Sequence, residues 1–255
     1  MKKKIITSLV VAVLSVLTLA GCGKTQTATT TQGTEKTLKV GTDATFQPFE
    51  YMENNEYKGF DIELVTELSK EMGYENVEFV NTDFKGLIPG LIANKFDLIS
   101  SAMYITDERK ESINFSDPYY PGGLSIMVKT ENNDVKNLDD LKGKNVAVQV
   151  GTKSVEYLEK NCSDIKRVEV ETNNEMFLQL ESGKVDAVVT GRPAALVYAK
   201  ASGKVKVLDY EVTKEMYGYG LRKDDEDMLK KVNKALEALK ENGKYDEISE
   251  KYFGK

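Results

Sequence analysis

The chain has 255 residues, a formal net charge of −6, no histidine, no tryptophan and two cysteines, Cys22 and Cys162. That length holds one large domain or two of ordinary size with ample core. An acidic balance with no basic block argues against nucleic acid as a partner. A zinc centre or a His-dependent catalytic triad has no histidine to draw on, and neither a metal nor a cofactor is expected.

Residues 1–21 read as a signal peptide. Lys2, Lys3 and Lys4 are a basic start, and residues 5–20 are an apolar run shorter than the about 20 residues of a bilayer span. The run ends Leu19-Ala20-Gly21-Cys22, which resembles a bacterial lipobox and implies cleavage before Cys22 and lipidation of its thiol. The alternative is an ordinary secreted protein with a chance cysteine. Residues 22–36 are rich in Thr, Gln and Gly, bury too little to fold, and read as a flexible tether. Cys162 is then without a disulfide partner and reads as a structural thiol.

From Thr37 onward short β-like runs alternate with amphipathic helices. A strand starts at 38–40. Ile62, Val65, Leu68 and Met72 recur at helical spacing, 77–80 is strand-like, and 87–93 is helical. Later come strands over 145–150, 168–170, 185–189 and 205–208, separated by helices over 154–159, 175–180 and 194–199. The tail is helical, with Leu229, Val232, Leu236 and Leu239 on one face and Gly243 as C-cap. Two successive βα series predict two α/β lobes rather than one long sheet.

Between the series lies the stretch 96–123. It opens as a short apolar strand at 96–100, then passes through Ser101 and Ala102, small residues that let a ligand approach the backbone. Thr106 and Asp107 are N-cap types, followed by Glu108 and Arg109 in a first helical turn. Acids belong there and a cation does not. Arg109 therefore points to a nearby carboxylate, from a ligand or from the protein; a pairing with Glu108 or Glu111 is the alternative.

Residues 101–109 with Asn114-Phe-Ser-Asp-Pro-Tyr-Tyr120, the block Gly59-Phe-Asp-Ile-Glu-Leu-Val65, and Asp43-Ala-Thr-Phe46-Gln-Pro-Phe49-Glu stand in order along the chain. Together they resemble the polar amino-acid solute-binding proteins (family 3) that serve ABC importers, glutamine-binding members being nearest, over residues 37–255. The resemblance implies a two-lobed α/β fold of the type II periplasmic-binding-protein kind, crossed twice by the chain. The crossings fall at 119–123 and 215–219, giving a large lobe of 37–118 with 220–255 and a small lobe of 124–214. Met216-Tyr-Gly-Tyr-Gly-Leu221 alternates glycine with larger side chains, which suits a hinge; an edge strand with glycine bulges is the alternative. The expected protein is a monomeric extracytoplasmic receptor, lipid-anchored to the bacterial cell membrane, that closes on a small amino acid or derivative and hands it to an ABC permease.

Strand ends face the crevice in such lobes, and the resemblance assigns roles there. Asp43 reaches the ligand's side chain, with Phe46 and Phe84 as facing aromatic walls. Arg109 clamps the α-carboxylate, joined by main-chain groups of Ala102 and Tyr104 and by the turn Gly151-Thr152-Lys153-Ser154 across the cleft. Gln149 closes over the site. Two departures stand out. Tyr104 occupies a place where the family has a small hydroxyl residue, which narrows the pocket. Thr190-Gly191-Arg192 puts glycine where the family has an aspartate that grips the α-ammonium. An arginine beside it suggests a ligand with a second acidic group or a substituted or absent amine; the alternative is that Arg192 caps its helix and faces solvent, while Asp43 or a water holds the ammonium. An enzymatic reading, a dehydratase on the same scaffold, would need a cleft acid or base, and Asp43 is the one acid placed there. An extracytoplasmic sensing module is the third reading.

Overall fold

The computed structural model describes residues 36–254, so the signal peptide, Cys22 and residues 22–35 of the tether lie outside the described residues. The chain opens with β1 (Thr37–Thr42), then a meander of β2 (Thr45–Phe46), β3 (Glu50–Glu53) and β4 (Glu56–Lys58). Helix α1 (Phe60–Glu71), β5 (Asn76–Asn81), α2 (Phe84–Ile92) and β6 (Leu98–Ile99) follow, then α3 (Asp107–Ser112) and β7 (Ile113–Phe115). After β8 (Tyr120–Pro121) comes a second series: β9 (Leu124–Lys129), β10 (Asn145–Gln149), α4 (Lys153–Asn161), β11 (Lys166–Val170) and α5 (Asn173–Ser182). It continues through β12 (Ala187–Gly191), α6 (Arg192–Ser202) and β13 (Val205–Glu211). The chain then returns through β14 (Met216–Tyr217) and β15 (Gly220–Arg222) to helices α7 (Glu226–Glu241) and α8 (Lys244–Phe253).

Two five-stranded sheets result, in the orders β5-β1-β6-β15-β7 and β11-β10-β12-β9-β13. In the first, β1 runs parallel to β5 and β6 while the returning β15 is antiparallel to β6 and β7. In the second, β10 is parallel to β11 and β12, and β9 is antiparallel to β12 and β13. The order is the same in both: two parallel neighbours flank the first βα strand, and a strand from the far end of the segment or its start closes the sheet. β8 and β14 pair antiparallel between the sheets, Tyr217 opposite Tyr120. The fold is thus α/β, two-lobed, of the type II periplasmic-binding kind.

The apolar spacing seen along 62–72 does form α1, whose Ile62, Val65 and Leu68 are buried. Its start carries Asp61 and Glu63 and its end Lys70, each sign complementing the helix dipole. Gly243 differs from the expected end cap: Asn242 caps α7, and Gly243, at φ 79°, turns directly into α8. The β2–β4 meander and β9 are elements beyond the expected set. β3 and β4 join through Asn54 and Asn55, both at positive φ (52° and 63°), the backbone of a tight hairpin that asparagine tolerates.

The junction before α1 positions everything that follows. Gly59 sits at φ 130°, and its neighbours' amides, Phe60 N and Asp61 N, donate to the carbonyls of Pro48 and Phe49 (both 2.9 Å), so loop backbone caps the helix. Asp61, fully buried, accepts at Oδ2 from the backbone N–H of Ala102 (2.8 Å) and from the Tyr119 hydroxyl (2.6 Å). Burial pushes its carboxyl up to about 7, against the lowering effect of those bonds.

Two outcomes are expected. A Cβ at Gly59 would lie 2.0 Å from the Phe49 carbonyl oxygen in a backbone region L-residues avoid; Gly59→Ala should lower unfolding free energy by about 2 kcal/mol or more in urea titrations. Asp61, with Asp43 (about 6) and Glu50, holds its proton to higher pH when folded than when unfolded. The stability this gives is complete below the ordinary carboxyl pKa and is lost as pH rises through the folded values. The ligand-free melting temperature should therefore fall between about pH 4 and about pH 7 from these groups, and Asp61→Asn should flatten that fall. An unaltered slope in the variant would contradict the assignment.

Candidate ligand-binding cleft

Between the sheets' facing strand ends lies a cleft of about 420 Å³, a figure that counts its open mouth as well as its enclosed part. The first lobe lines it with Asp43, Phe46, Glu50, Phe84, Ser101, Ala102 and Tyr104, and β14 adds Tyr217. The second lobe adds Gln149, Thr152, Ser154, Asn173, Thr190 and Gly191. Most of each set comes from the strand ends and following turns of β1, β5 and β6 on one side and β10, β11 and β12 on the other, with Phe46 and Glu50 supplied by β2 and β3.

Eight of the expected residues therefore meet in one place: Asp43, Phe46, Phe84, Ala102, Tyr104, Gln149, Thr152 and Thr190. Asp43 and Gln149 join across the cleft, Gln149 Nε2 donating to Asp43 Oδ2 at 2.6 Å. The amide is fixed further by Glu171 O (2.9 Å) and by Asn173, whose Nδ2 donates to Gln149 Oε1 (2.8 Å). Burial pushes the Asp43 carboxyl up to about 6, although its bonds with Gln149 and Thr45 pull the other way. Thr152 turns its hydroxyl back to Gln149 O (2.7 Å), which shapes the turn before α4.

Arg109 stands at the cleft's edge and is 5% exposed. Thr106 caps α3 by accepting from Arg109 N (3.2 Å), and this aims the side chain inward. Its guanidinium lies 5.4 Å from the Phe84 ring centroid and donates to Tyr104 O (3.1 Å) in one lobe and to Gly151 O (3.3 Å) in the other. The carboxylate near it from the protein is Glu156 at 3.7 Å, on α4, not Glu108 or Glu111. Two of its five N–H donors are thus spent on carbonyls.

One expected contact is corrected by the geometry. Arg192 does not enter the cleft: its Nη1 donates to Leu208 O (2.9 Å) and its backbone N–H to Gly123 O (2.9 Å), pinning α6 to the sheet. The Lys153 side chain has its Nζ 3.7 Å from Glu156 and 3.9 Å from Glu215, whereas the expectation at Lys153 concerns its backbone N–H. Glu50, Ser101, Ser154, Asn173 and Tyr217 line the cleft beyond the expected set. Glu50 follows directly on the Phe46–Phe49 loop, so proximity to that motif was its one sign in the sequence. Tyr217 lay hidden in the glycine-alternating run.

Tyr104 and Gly191 meet at one wall. Tyr104 Oη donates to Gly123 O (2.8 Å), and Tyr217 Oη donates to Tyr104 Oη (3.2 Å). A Cβ on Gly191 would lie 2.4 Å from Tyr217 Oη and 3.3 Å from Tyr104 Oη. Burial raises both phenols' ionisation above the ordinary range, so they stay neutral. Among the described residues, no group of three or more His, Cys, Asp or Glu side chains is arranged to hold a metal ion, and no helix is long and apolar enough to cross a membrane.

Comparison with known proteins agrees with this architecture. The model of the bacterial extracellular solute-binding proteins, family 3, matches residues 38–255. The probable amino-acid-binding protein YxeM of Bacillus subtilis (strain 168) is 36% identical over 259 residues, which cover 99% of this chain and 96% of that protein. The ABC transporter arginine-binding protein 1 of Escherichia coli (strain K12) is 33% identical over 222 residues, covering 85% and 90% of the two chains. Structures of an ancestral arginine-binding protein, one bound to glutamine and one to arginine, superpose with a TM-score of 0.81 at 44% identity, over 86% of this chain and 98% of theirs. These relatives are named as binding proteins, and the chain belongs to the bacterial extracellular solute-binding proteins of family 3, the receptors of ABC importers.

Proposed function

We propose that this receptor binds a small amino-acid-like carboxylate between its lobes, with Arg109 as the anchor of the carboxylate. One observation carries the reading: a buried guanidinium that bonds to a carbonyl from each lobe and keeps further donors unspent. A carboxylate reaching it would replace weak carbonyl contacts by charge-assisted bonds. The backbone N–H groups of the turn 151–154, at the start of α4, would meet the same anion. Phe46 and Phe84 would sandwich the ligand's stem by dispersion and apolar burial. Asp43 and Gln149, bonded to each other across the cleft, would open and re-form around the ligand's side chain.

The segments 119–123 and 215–219 act as the hinge, between a large lobe of 37–118 with 220–255 and a small lobe of 124–214. The pairing of β8 with β14 supports this, as do the bonds from Gly122 N and Gly123 N to Glu215 O (both 3.0 Å). A ligand touching both lobes stabilises the closed state over the open one, and that difference is the signal a permease reads. Residues 1–21 direct export, Cys22 carries the lipid anchor, and residues 22–36 tether a monomer to the membrane. No catalytic role is assigned to the cleft acids.

Two measurements test the reading. Calorimetry of refolded, ligand-stripped protein against amino acids, their derivatives and dicarboxylates should find a ligand; Arg109→Ala should weaken it by about 2–5 kcal/mol with little change in apo-protein melting. Undiminished affinity in the variant would remove Arg109 from the site. Small-angle scattering should give a smaller radius of gyration at saturating ligand. An unchanged curve despite calorimetric binding would rule out hinge closure.

A further inference from the structure

The cleft's uncompensated charge is confined to one lobe. The six residues that the second lobe contributes are all neutral. Outside this lining, Glu156 pairs with Arg109 and Lys153 and Glu215 with Lys153, each keeping a buried Oε2 without a hydrogen-bond partner. The wall of Gly191 is finished by the Tyr104 and Tyr217 hydroxyls, whose protons are committed to Gly123 O and to Tyr104 Oη. They leave only neutral lone pairs facing the cleft. An α-ammonium placed there would be stripped of water with no countercharge, a costly state.

The first lobe has the opposite character. Glu50, 1% exposed, lines the cleft at the start of β3. Its Oε1 accepts from Ser101 Oγ (3.1 Å), while Oε2 is buried with no hydrogen-bond partner. Asp43, 4% exposed, lines the same cleft, and among the described residues no ion pair reaches either carboxyl. Burial, and the charges of Asp61 and Asp43 nearby, hold the Glu50 carboxyl well above its ordinary range. A buried carboxyl oxygen without a partner is a site awaiting one, and a cation is the partner that would satisfy both acids.

Resting on the receptor reading above, we propose that the ligand carries a carboxylate for Arg109 and a side-chain cation, a guanidinium or ammonium, held by Glu50 with Asp43. Its α position bears no free ammonium: an acylated nitrogen or plain hydrogen faces Tyr104, Tyr217 and Gly191. A neutral amide N–H could donate to the phenol oxygens, which a carboxylate-free wall accepts at no electrostatic cost. A planar guanidinium could also stack on the face of Phe46, which lines the same cleft, adding to the charge pairing.

Calorimetry with four probes decides this: arginine, Nα-acetylarginine, 4-guanidinobutanoate and glutamine. One of the two probes without a free α-ammonium should bind at least about tenfold more tightly than arginine, a difference of about 1.4 kcal/mol, and glutamine should bind more weakly still. Glu50→Gln should weaken the guanidinium probes by about tenfold or more, while leaving the ratio between blocked and free forms unchanged. The proposal is overturned if arginine or glutamine binds as tightly as the blocked compounds, if Glu50→Gln is without effect on them, or if none of the four binds. Should Glu50→Gln fail to fold, the ranking of the four probes by the unaltered protein decides alone. Arg109-dependent binding of some other carboxylate would leave the receptor reading standing and sink only this one.

Discussion

The Asp61 carboxylate holds three distant pieces of chain in register, and the cleft depends on that. Its oxygen takes one bond from the Ala102 amide and one from the Tyr119 hydroxyl, joining the first turn of α1 to the loop after β6 and to the segment entering the second lobe. Ala102 has φ 40°, a conformation disfavoured for a residue with a Cβ. The 2.8 Å bond from its N–H to the Asp61 side chain offsets that cost. With Ala102 fixed, the next residues run along the cleft floor, Tyr104 presents its carbonyl to Arg109, and Thr106 can start α3. The helix N-terminus supplies further positive potential to a buried acid that no lysine or arginine reaches among the described residues.

The two lobes are cross-linked in this structure by bonds of unequal worth. Lys85 pairs with Glu171 (2.6 Å) and Lys160 with Glu108 (2.8 Å), both at the solvent-exposed lips. Exposed pairs of this kind contribute about 0–1 kcal/mol each. The Gln149–Asp43 bond is buried and the Arg109–Gly151 bond partly so, yet each uses groups that a ligand would also claim. Gly151 packs so closely on Lys85 that a Cβ there would sit 2.8 Å from the lysine's own. Closure therefore has good shape complementarity but only modest bonding of its own. Such a balance lets a solute's binding free energy decide the state of the hinge.

How legible this was in the sequence depended on whether a signal was local. Thr106 as an N-cap and the 3.6-residue spacing of Ile62, Val65 and Leu68 concern neighbours in the chain, and the structure has both. β9 escaped because Leu124–Val128 is mostly apolar without strict alternation, buried on both faces as an interior strand of its sheet. The hairpin at Asn54-Asn55 lacks the glycine that usually marks such turns. Arg192 was read from its position beside Gly191, but position on a strand end does not fix where a long side chain goes. The carbonyl of Leu208, sixteen residues on, takes its guanidinium. Glu50 ends the Asp43–Glu50 motif, yet the motif gave it no role for the complementary reason: on a strand, an acid reads as solvent-facing unless its buried surroundings are known.

Tyr104 and Gly191 had each been a separate departure from the family's pattern, and in space they are one feature. A side chain at 191 would have to occupy the volume already filled by the Tyr217 and Tyr104 hydroxyls, since its first carbon would fall 2.4 Å from one and 3.3 Å from the other. Interiors this dense do not accept an added group without displacing another. The large residue and the absent one therefore require each other. A carboxylate at 191 could return only with a smaller residue at 104 or a rotated Tyr217, and Tyr217 is held by Phe49 at 5.3 Å and by its bridge to Tyr104. The wall's neutrality is thus built into the packing of three residues on three segments, and the charge of whatever enters the cleft is set from the Glu50 and Asp43 side.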